Sequence, residues 1–339
     1  MLNNYKLKAM KIILKNFKLI TLFILTISLT SCNDDDDNNS DAQMADIEDV
    51  IDDNSELTIL DEALELTGLD ATLETSGPFT VFAPTNDAFA AVLESNSEWN
   101  SLSDIPTETL TNLLLNHVIV GQDLSSTDLV NAESGYVNTG ATGPNDTNLS
   151  LYFSATDGVQ LNGMSTVTNA DNVASNGTVH VVDAVILLPT IATFATTNPA
   201  LSTLVDALAY ADSGEPTVPY IATVSDATAG PFTVFTPTND AFIDVLAELE
   251  ISSLEDLGTA TTDTVLTMHI VSGNIQSSGL PNGTVTTLGG DITADNTAFT
   301  LTDGYNREIG IITTLVDIQA TNGVVHVINK VIRPGSSDE

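Results

Sequence analysis

The chain has 339 residues, 42% of them apolar, with one cysteine, four histidines, 46 acidic and eight basic residues, for a formal net charge of −38. Five of the eight basic residues precede residue 31, so the remainder sets 46 acidic side chains against Arg307, Lys330 and Arg333, a balance of −43. Such a surface repels phosphate and excludes nucleic acid as a partner, and a lone thiol excludes an internal disulfide, so the folded part must be held by its cores.

In chain order, Lys6, Lys8, Lys11, Lys15 and Lys18 lead into the apolar run Leu19 to Leu29. This predicts a secretory signal peptide over residues 1–31, with an apolar core too short to span a bilayer; Met10 would serve equally as its start. Leu29, Thr30 and Ser31 before Cys32 resemble the lipobox of bacterial lipoproteins. That resemblance implies cleavage before Cys32 and lipidation of it, with several acyl chains giving a stable anchor. The acidic stretch from Asp34 to Asp37 lies in a segment, 32–44, that cannot bury a core and reads as a solvated tether, reaching about 20 Å as flexible coil. It is similar to the acidic signal that follows the lipidated cysteine in Bacteroidetes-type lipoproteins exported to the outer face of the outer membrane. The expected location is therefore a lipid anchor in the outer membrane facing the cell surface, with the periplasmic face as the alternative and no other contact with the membrane.

The rest is a duplication. GPFTVFAPTNDAF at 77–89 and GPFTVFTPTNDAF at 230–242 agree at twelve of thirteen positions, and NGTVHVVDAVI at 176–186 is repeated as NGVVHVINKVI at 322–332. His117 pairs with His269 at an offset of 152, whereas Asp157-Gly158 pairs with Asp303-Gly304 at 146, so the first copy carries six extra residues around the loop-like stretch 140–148. The copies are placed at 45–189 and 190–334, followed by a short tail at 335–339, with a brief linker at Pro189 that keeps them close. In each, Leu57, Leu60 and Leu64, or Leu201, Leu204, Val205 and Leu208, have helical spacing. Phe79–Phe82 and Phe232–Phe235 read as strands stopped by Pro84 and Pro237. Thr85 or Asn86, and Thr238 or Asn239, suit the cap of the next helix, with Asp87 and Asp240 on its positive first turn. The later half is strand-rich with a hairpin at Asp157-Gly158. Helices followed by strands predict an α+β domain.

These paired blocks resemble the fasciclin domain: the TVFAPTNDAF and TVFTPTNDAF segments match its first motif, the NGxVHV segments its second, and His117 and His269 fall at its central histidine. The resemblance implies two tandem fasciclin-like domains, each a β-wedge or sandwich with a cluster of helices, used outside the cell for adhesion. In animal relatives a Tyr-His pair at the central motif is tied to integrin contact; here Asn116 and Met268 precede the histidines, so that recognition is not implied.

All four histidines lie in the repeat. His180 and His326, between valines in strands, are expected to be structural, hydrogen-bonded core residues. His117 and His269 read first in the same way, and are kept with Thr85, Asn86, Asp87, Thr238, Asn239 and Asp240 as candidate binding residues. Two histidines per copy and no thiol give no zinc set, so no metal and no cofactor are expected. No G-x-S-x-G elbow, P-loop or dinucleotide fingerprint occurs, so no catalytic residue is assigned. The expected function is a non-catalytic adhesion or matrix-binding lipoprotein, whose partner is an extracellular matrix protein, a cell surface or a polysaccharide. Polysaccharide binding, with divalent cations bridging the charge, is the alternative, and an envelope hydrolase is the third reading.

Overall fold

The computed structural model describes residues 44–335; the segment read as a signal peptide, Cys32, the stretch read as a tether up to residue 43 and the tail beyond 335 lie outside the described residues. The first copy opens with α1 (Ile47–Asp52), α2 (Thr58–Thr67) and α3 (Asp70–Leu73). Leu60, Ala63 and Leu64 give α2 one buried stripe, and Gly68, at φ 70°, ends it in the left-handed conformation that costs glycine least. β1 (Phe79–Pro84) and α4 (Asn86–Ser95) follow, with only Thr85 between them. After these come α5 (Thr107–Leu115), β2 (Val118–Val120), α6 (Ser126–Ala132), β3 (Ser134–Thr142), β4 (Asn148–Ser154), β5 (Gln160–Leu161), β6 (Ser165–Ala174) and β7 (Gly177–Val182). The α+β expectation holds. β1 does not stop before Pro84 but includes it, opposite Val182 in a parallel pair; at a strand end the missing N–H interrupts no ladder, and the next amide, Thr85 N–H, bonds the Val182 carbonyl at 3.1 Å.

The sheet runs β2-β1-β7-β6-β5-β4-β3, so the two long repeated segments are neighbouring strands. All six residues of β1 and all six of β7 are buried, Thr80, Thr178 and His180 included, as in strands covered on both faces. The Asn-Gly that opens β7 has a physical cause. Gly177 takes φ 154°, and a Cβ there would stand 2.0 Å from the Phe79 carbonyl oxygen. Asn176 ties the helices to this point: its Oδ1 accepts from Ile47 N–H at 3.0 Å, and its Nδ2 donates to the Thr75 carbonyl at 2.9 Å.

The second copy repeats the order with α7 (Ile191–Thr197), α8 (Ser202–Asp212), α9 (Tyr220–Ser225), β8 (Phe232–Pro237), α10 (Asn239–Glu248), α11 (Thr259–Thr267) and β9 (Ile270–Ser272). Its remaining strands are β10 (Gly283–Thr286), β11 (Asp291–Asp295), β12 (Thr300–Thr302), β13 (Glu308–Gly310), β14 (Ile318–Ala320) and β15 (Gly323–Ile328). They form two four-stranded sheets, β10-β11-β12-β13 and β14-β15-β8-β9. Gly323 repeats the close approach, with φ 150° and a Cβ position 2.0 Å from the Phe232 carbonyl oxygen. Among the described residues no helix is long and apolar enough to cross a membrane.

The copies share a core. Tyr152 of β4 is buried in one cluster with Ile191 and Phe194 of α7, Ile318 of β14 and Val325 of β15, and Tyr136 packs against both Tyr152 and Phe194, at ring separations of 5.1 and 5.5 Å. Polar contacts close the edge: Asn198 Nδ2 donates to Tyr136 Oη (3.1 Å) and Gln319 N–H to Ser150 Oγ (3.0 Å). The extra residues of the first copy contribute as well, since Asn145 Nδ2 donates to the Asn274 carbonyl at 3.2 Å. The stretch read as a loop is the tip of the β3–β4 hairpin, set against the second copy.

Candidate functional site

Of the Thr-Asn-Asp residues, Thr85 and Thr238 are the helix caps: their Oγ1 atoms accept from Ala88 and Ala241 N–H, both at 3.3 Å. Asn86 and Asn239 act elsewhere. Asn86 Oδ1 accepts from Ile59 N–H at 2.9 Å and its Nδ2 donates to the Ser55 carbonyl at 3.0 Å, so it caps α2, whose own N-cap residue Leu57 supplies no side-chain bond. Asn239 does the same for α8 through Thr203 N–H and the Pro199 carbonyl, both at 2.9 Å. Thr85, Asn86, Thr238 and Asn239 are half-buried, and their polar atoms join helices of their own domain. Asp87 and Asp240 stand exposed on the first turn, where the helix dipole favours their charge.

His117 and His269 are buried, at 1% and 2% exposure. Ile186 N–H donates to His117 Nε2 at 2.8 Å, so that nitrogen is unprotonated and Nδ1 carries the proton, which it donates to the Leu113 carbonyl at 2.8 Å. His269 repeats both bonds, from Ile332 N–H (2.9 Å) and to the Val265 carbonyl (2.8 Å). Each ring fastens the end of its helix to the segment just after the last strand. Burial pushes both imidazoles down to about 4, against a smaller upward pull from the Leu113 or Val265 carbonyl.

His180 and His326 have the opposite tautomer. Asp171 N–H donates to His180 Nδ1 (3.1 Å) while Nε2 donates to the Leu124 carbonyl (2.8 Å), and His326 pairs likewise with Asp317 N–H (3.2 Å) and the Ile275 carbonyl (2.9 Å). Burial lowers the His326 imidazole, partly offset by the Ile275 bond and the Asp317 charge. Sequence reasoning missed the residues that complete this unit. Ser126 and Ser277 each give a backbone N–H and a hydroxyl to Asp171 and Asp317, at 2.7 and 2.5 Å in the first copy and 2.6 and 2.5 Å in the second. The signal that finds them is the shared spacing of nine between Asp and His. The carboxylate stands between serine and histidine, so no ring nitrogen touches a hydroxyl and the arrangement is no nucleophile–base pair. Asp46, Glu48 and Asp49 set carboxylate oxygens within 4.8 Å of one another, but Asp46 and Asp49 form the capping box of α1.

A family profile for the fasciclin domain matches residues 55–189 and 199–334. The chain belongs to the fasciclin-domain family. Protein sll1483 of Synechocystis is 35% identical over 145 residues, 43% of this chain and 73% of that protein. Immunogenic protein MPB70 of Mycobacterium bovis is 29% identical over 146 residues, 42% of this chain and 68% of that protein. Among solved structures, the FAS1 domain pair of the insect cell adhesion molecule fasciclin I is similar at a TM-score of 0.45 and 17% identity, across 83% of this chain and 93% of that one.

The second fasciclin domain holds a cavity of about 160 Å³ between α8, α10 and α11, lined by Phe242, Leu254, Thr262 and Val331 and roofed by Tyr305 and Arg333. Nearby, Arg307 bonds Asp303 Oδ2 (2.7 Å), Glu248 Oε2 (2.6 Å) and the carbonyl of the lining residue Val331 (2.8 Å). Burial alone would raise the Asp303 carboxyl; the Arg307 side chain, with backbone N–H groups of Arg307 and Arg333, holds it below its ordinary value. Arg333 lies over the Tyr305 ring at 4.4 Å, and its Nη1 stands 3.5 Å from Glu248. Where the second domain has the lining residue Thr262, the first carries Leu110, packed in its core.

Proposed function

We propose that this protein is a non-catalytic adhesion or matrix-binding lipoprotein, anchored through Cys32 in the outer membrane with both fasciclin domains facing the cell surface; the periplasmic face is the alternative placement. One observation carries the reading: all four histidines of the repeat have both ring nitrogens bonded to backbone groups, so the residues best suited to proton transfer serve the scaffold of a family associated with adhesion. The two domains share a core, so they would present one fixed surface, and a target engaging both gains avidity without a new contact.

The balance of −43 favours a second reading, in which divalent cations bridge the surface to an anionic polysaccharide. A deletion strain tested for adhesion to matrix proteins and to polysaccharide, with and without chelator, separates the two. Loss of adhesion to protein that ignores chelator supports the first reading, and a chelator-sensitive loss on polysaccharide supports the second. Unchanged adhesion throughout sinks both.

A further inference from the structure

We propose that the cavity of the second fasciclin domain is a binding site for a small amphiphilic carboxylate, with the apolar body between α8, α10 and α11 and the carboxylate on Arg333. This goes beyond the adhesive reading and does not depend on it. Three observations converge.

The first is volume and lining. At about 160 Å³ the cavity is close to the roughly 150 Å³ apolar cavity that accepts a benzene-sized molecule. A ring or a chain of about six carbons fits. Around it stand Phe242, Leu254 and Val331, and the one hydroxyl among the lining residues named above and turned to the core, Thr262 Oγ1, already donates to the Gly258 carbonyl at 3.0 Å.

The second is the head group. Among the described residues the Arg333 guanidinium makes no hydrogen bond; its nearest carboxylate, at 3.5 Å, belongs to Glu248, which bonds Arg307 at 2.6 Å instead. Stacking on Tyr305 fixes the guanidinium plane at the mouth, leaving N–H donors for a bidentate carboxylate. Asp303 and Glu248 balance Arg307 and Arg333, so this corner is locally neutral in a chain of strongly negative charge. Arg307, Lys330 and Arg333, the three cations after the signal segment, all fall within its last 33 residues.

The third is the internal control. In the first domain, Leu110 occupies the position of Thr262 and Leu187 that of Arg333. The shared scaffold therefore requires neither Thr262 nor Arg333 at these positions.

Calorimetry on the purified protein, with hexanoate and phenylacetate as probes and hexan-1-ol and benzyl alcohol as neutral counterparts, tests the assignment. The carboxylates are expected to saturate one site per chain, with the alcohols at least tenfold weaker. Arg333→Gln should abolish that preference. Thr262→Leu, which fills the space as Leu110 does, should abolish binding without lowering the unfolding midpoint. Absence of saturable carboxylate binding, equal binding of the alcohols, or binding undiminished by Thr262→Leu overturns the proposal. If Thr262→Leu fails to fold, Arg333→Gln, at a partly exposed side chain, decides alone.

Discussion

The two fasciclin domains agree wherever a backbone group must be satisfied and differ wherever a surface is made. Asn176 and Asn322, Gly177 and Gly323, and the four histidines make the same bonds twice. Besides the division of the second domain's strands into two sheets, two differences stand out. The β3–β4 hairpin of the first domain carries six extra residues and lies against the second, and Thr262 lines a cavity of the second domain at the position where the first has Leu110 in its core. Repeated residues therefore report the scaffold, and the function peculiar to this chain is to be sought where the copies disagree.

The sharpest way to break that comparison is at the strand pair. Gly177→Ala and Gly323→Ala would each drive a Cβ into a carbonyl oxygen at 2.0 Å, in a conformation that L residues rarely adopt. Each should cost more than about 4 kcal/mol, the range reached when core backbone is displaced, and the two costs should match. Denaturant unfolding measures both. A loss below about 1 kcal/mol in either copy would show that β1 and β7 are not fixed by this approach.

A smaller effect is expected from pH. An imidazole held at about 4 in the fold and near 6.5 in the unfolded chain corresponds to about 3 kcal/mol. As pH falls from 6.5 the unfolded chain takes up the proton first. The contribution is thus complete above pH 6.5, declines through the window down to about 4 and is gone below it, and His117 and His269 should contribute alike. NMR titration of the imidazole resonances checks this: signals from both rings should hold still until pH falls below about 5, and a midpoint near 6.5 for either would contradict the bonding described.

What the sequence made legible follows range of interaction. Helical spacing in Leu57, Leu60 and Leu64, the glycine that ends α2, the Thr85 cap and the α+β order are local consequences of a few residues. The His117 Nδ1 partner is local too, four residues back on the same helix, but its Nε2 partner lies 69 residues on, and no spacing announces it. The same holds for the 140–148 stretch. Its composition says loop, and only the fold shows that Asn145 reaches Asn274. The cavity was visible only as a Leu110 to Thr262 difference, whose consequence depends on what the neighbouring helices fail to fill.

Asn86 concentrates this lesson and gives the smallest effect. Judged locally, it competes with Thr85 for the cap of α4; in the fold it caps α2, 27 residues earlier, with Oδ1 on Ile59 N–H and Nδ2 on the Ser55 carbonyl. The carboxamide supplies an acceptor and a donor on separate atoms, one for each of these bonds. Asn86→Ala and Asn239→Ala should each therefore cost about 1–2 kcal/mol. Asn86→Asp, which keeps the acceptor and places a negative charge at the positive end of α2 but loses the donor, should cost about half as much. Thermal unfolding of the three variants orders them. If Asn86→Ala left stability untouched while weakening adhesion, the residue would belong to a binding surface rather than to the scaffold its hydrogen bonds serve.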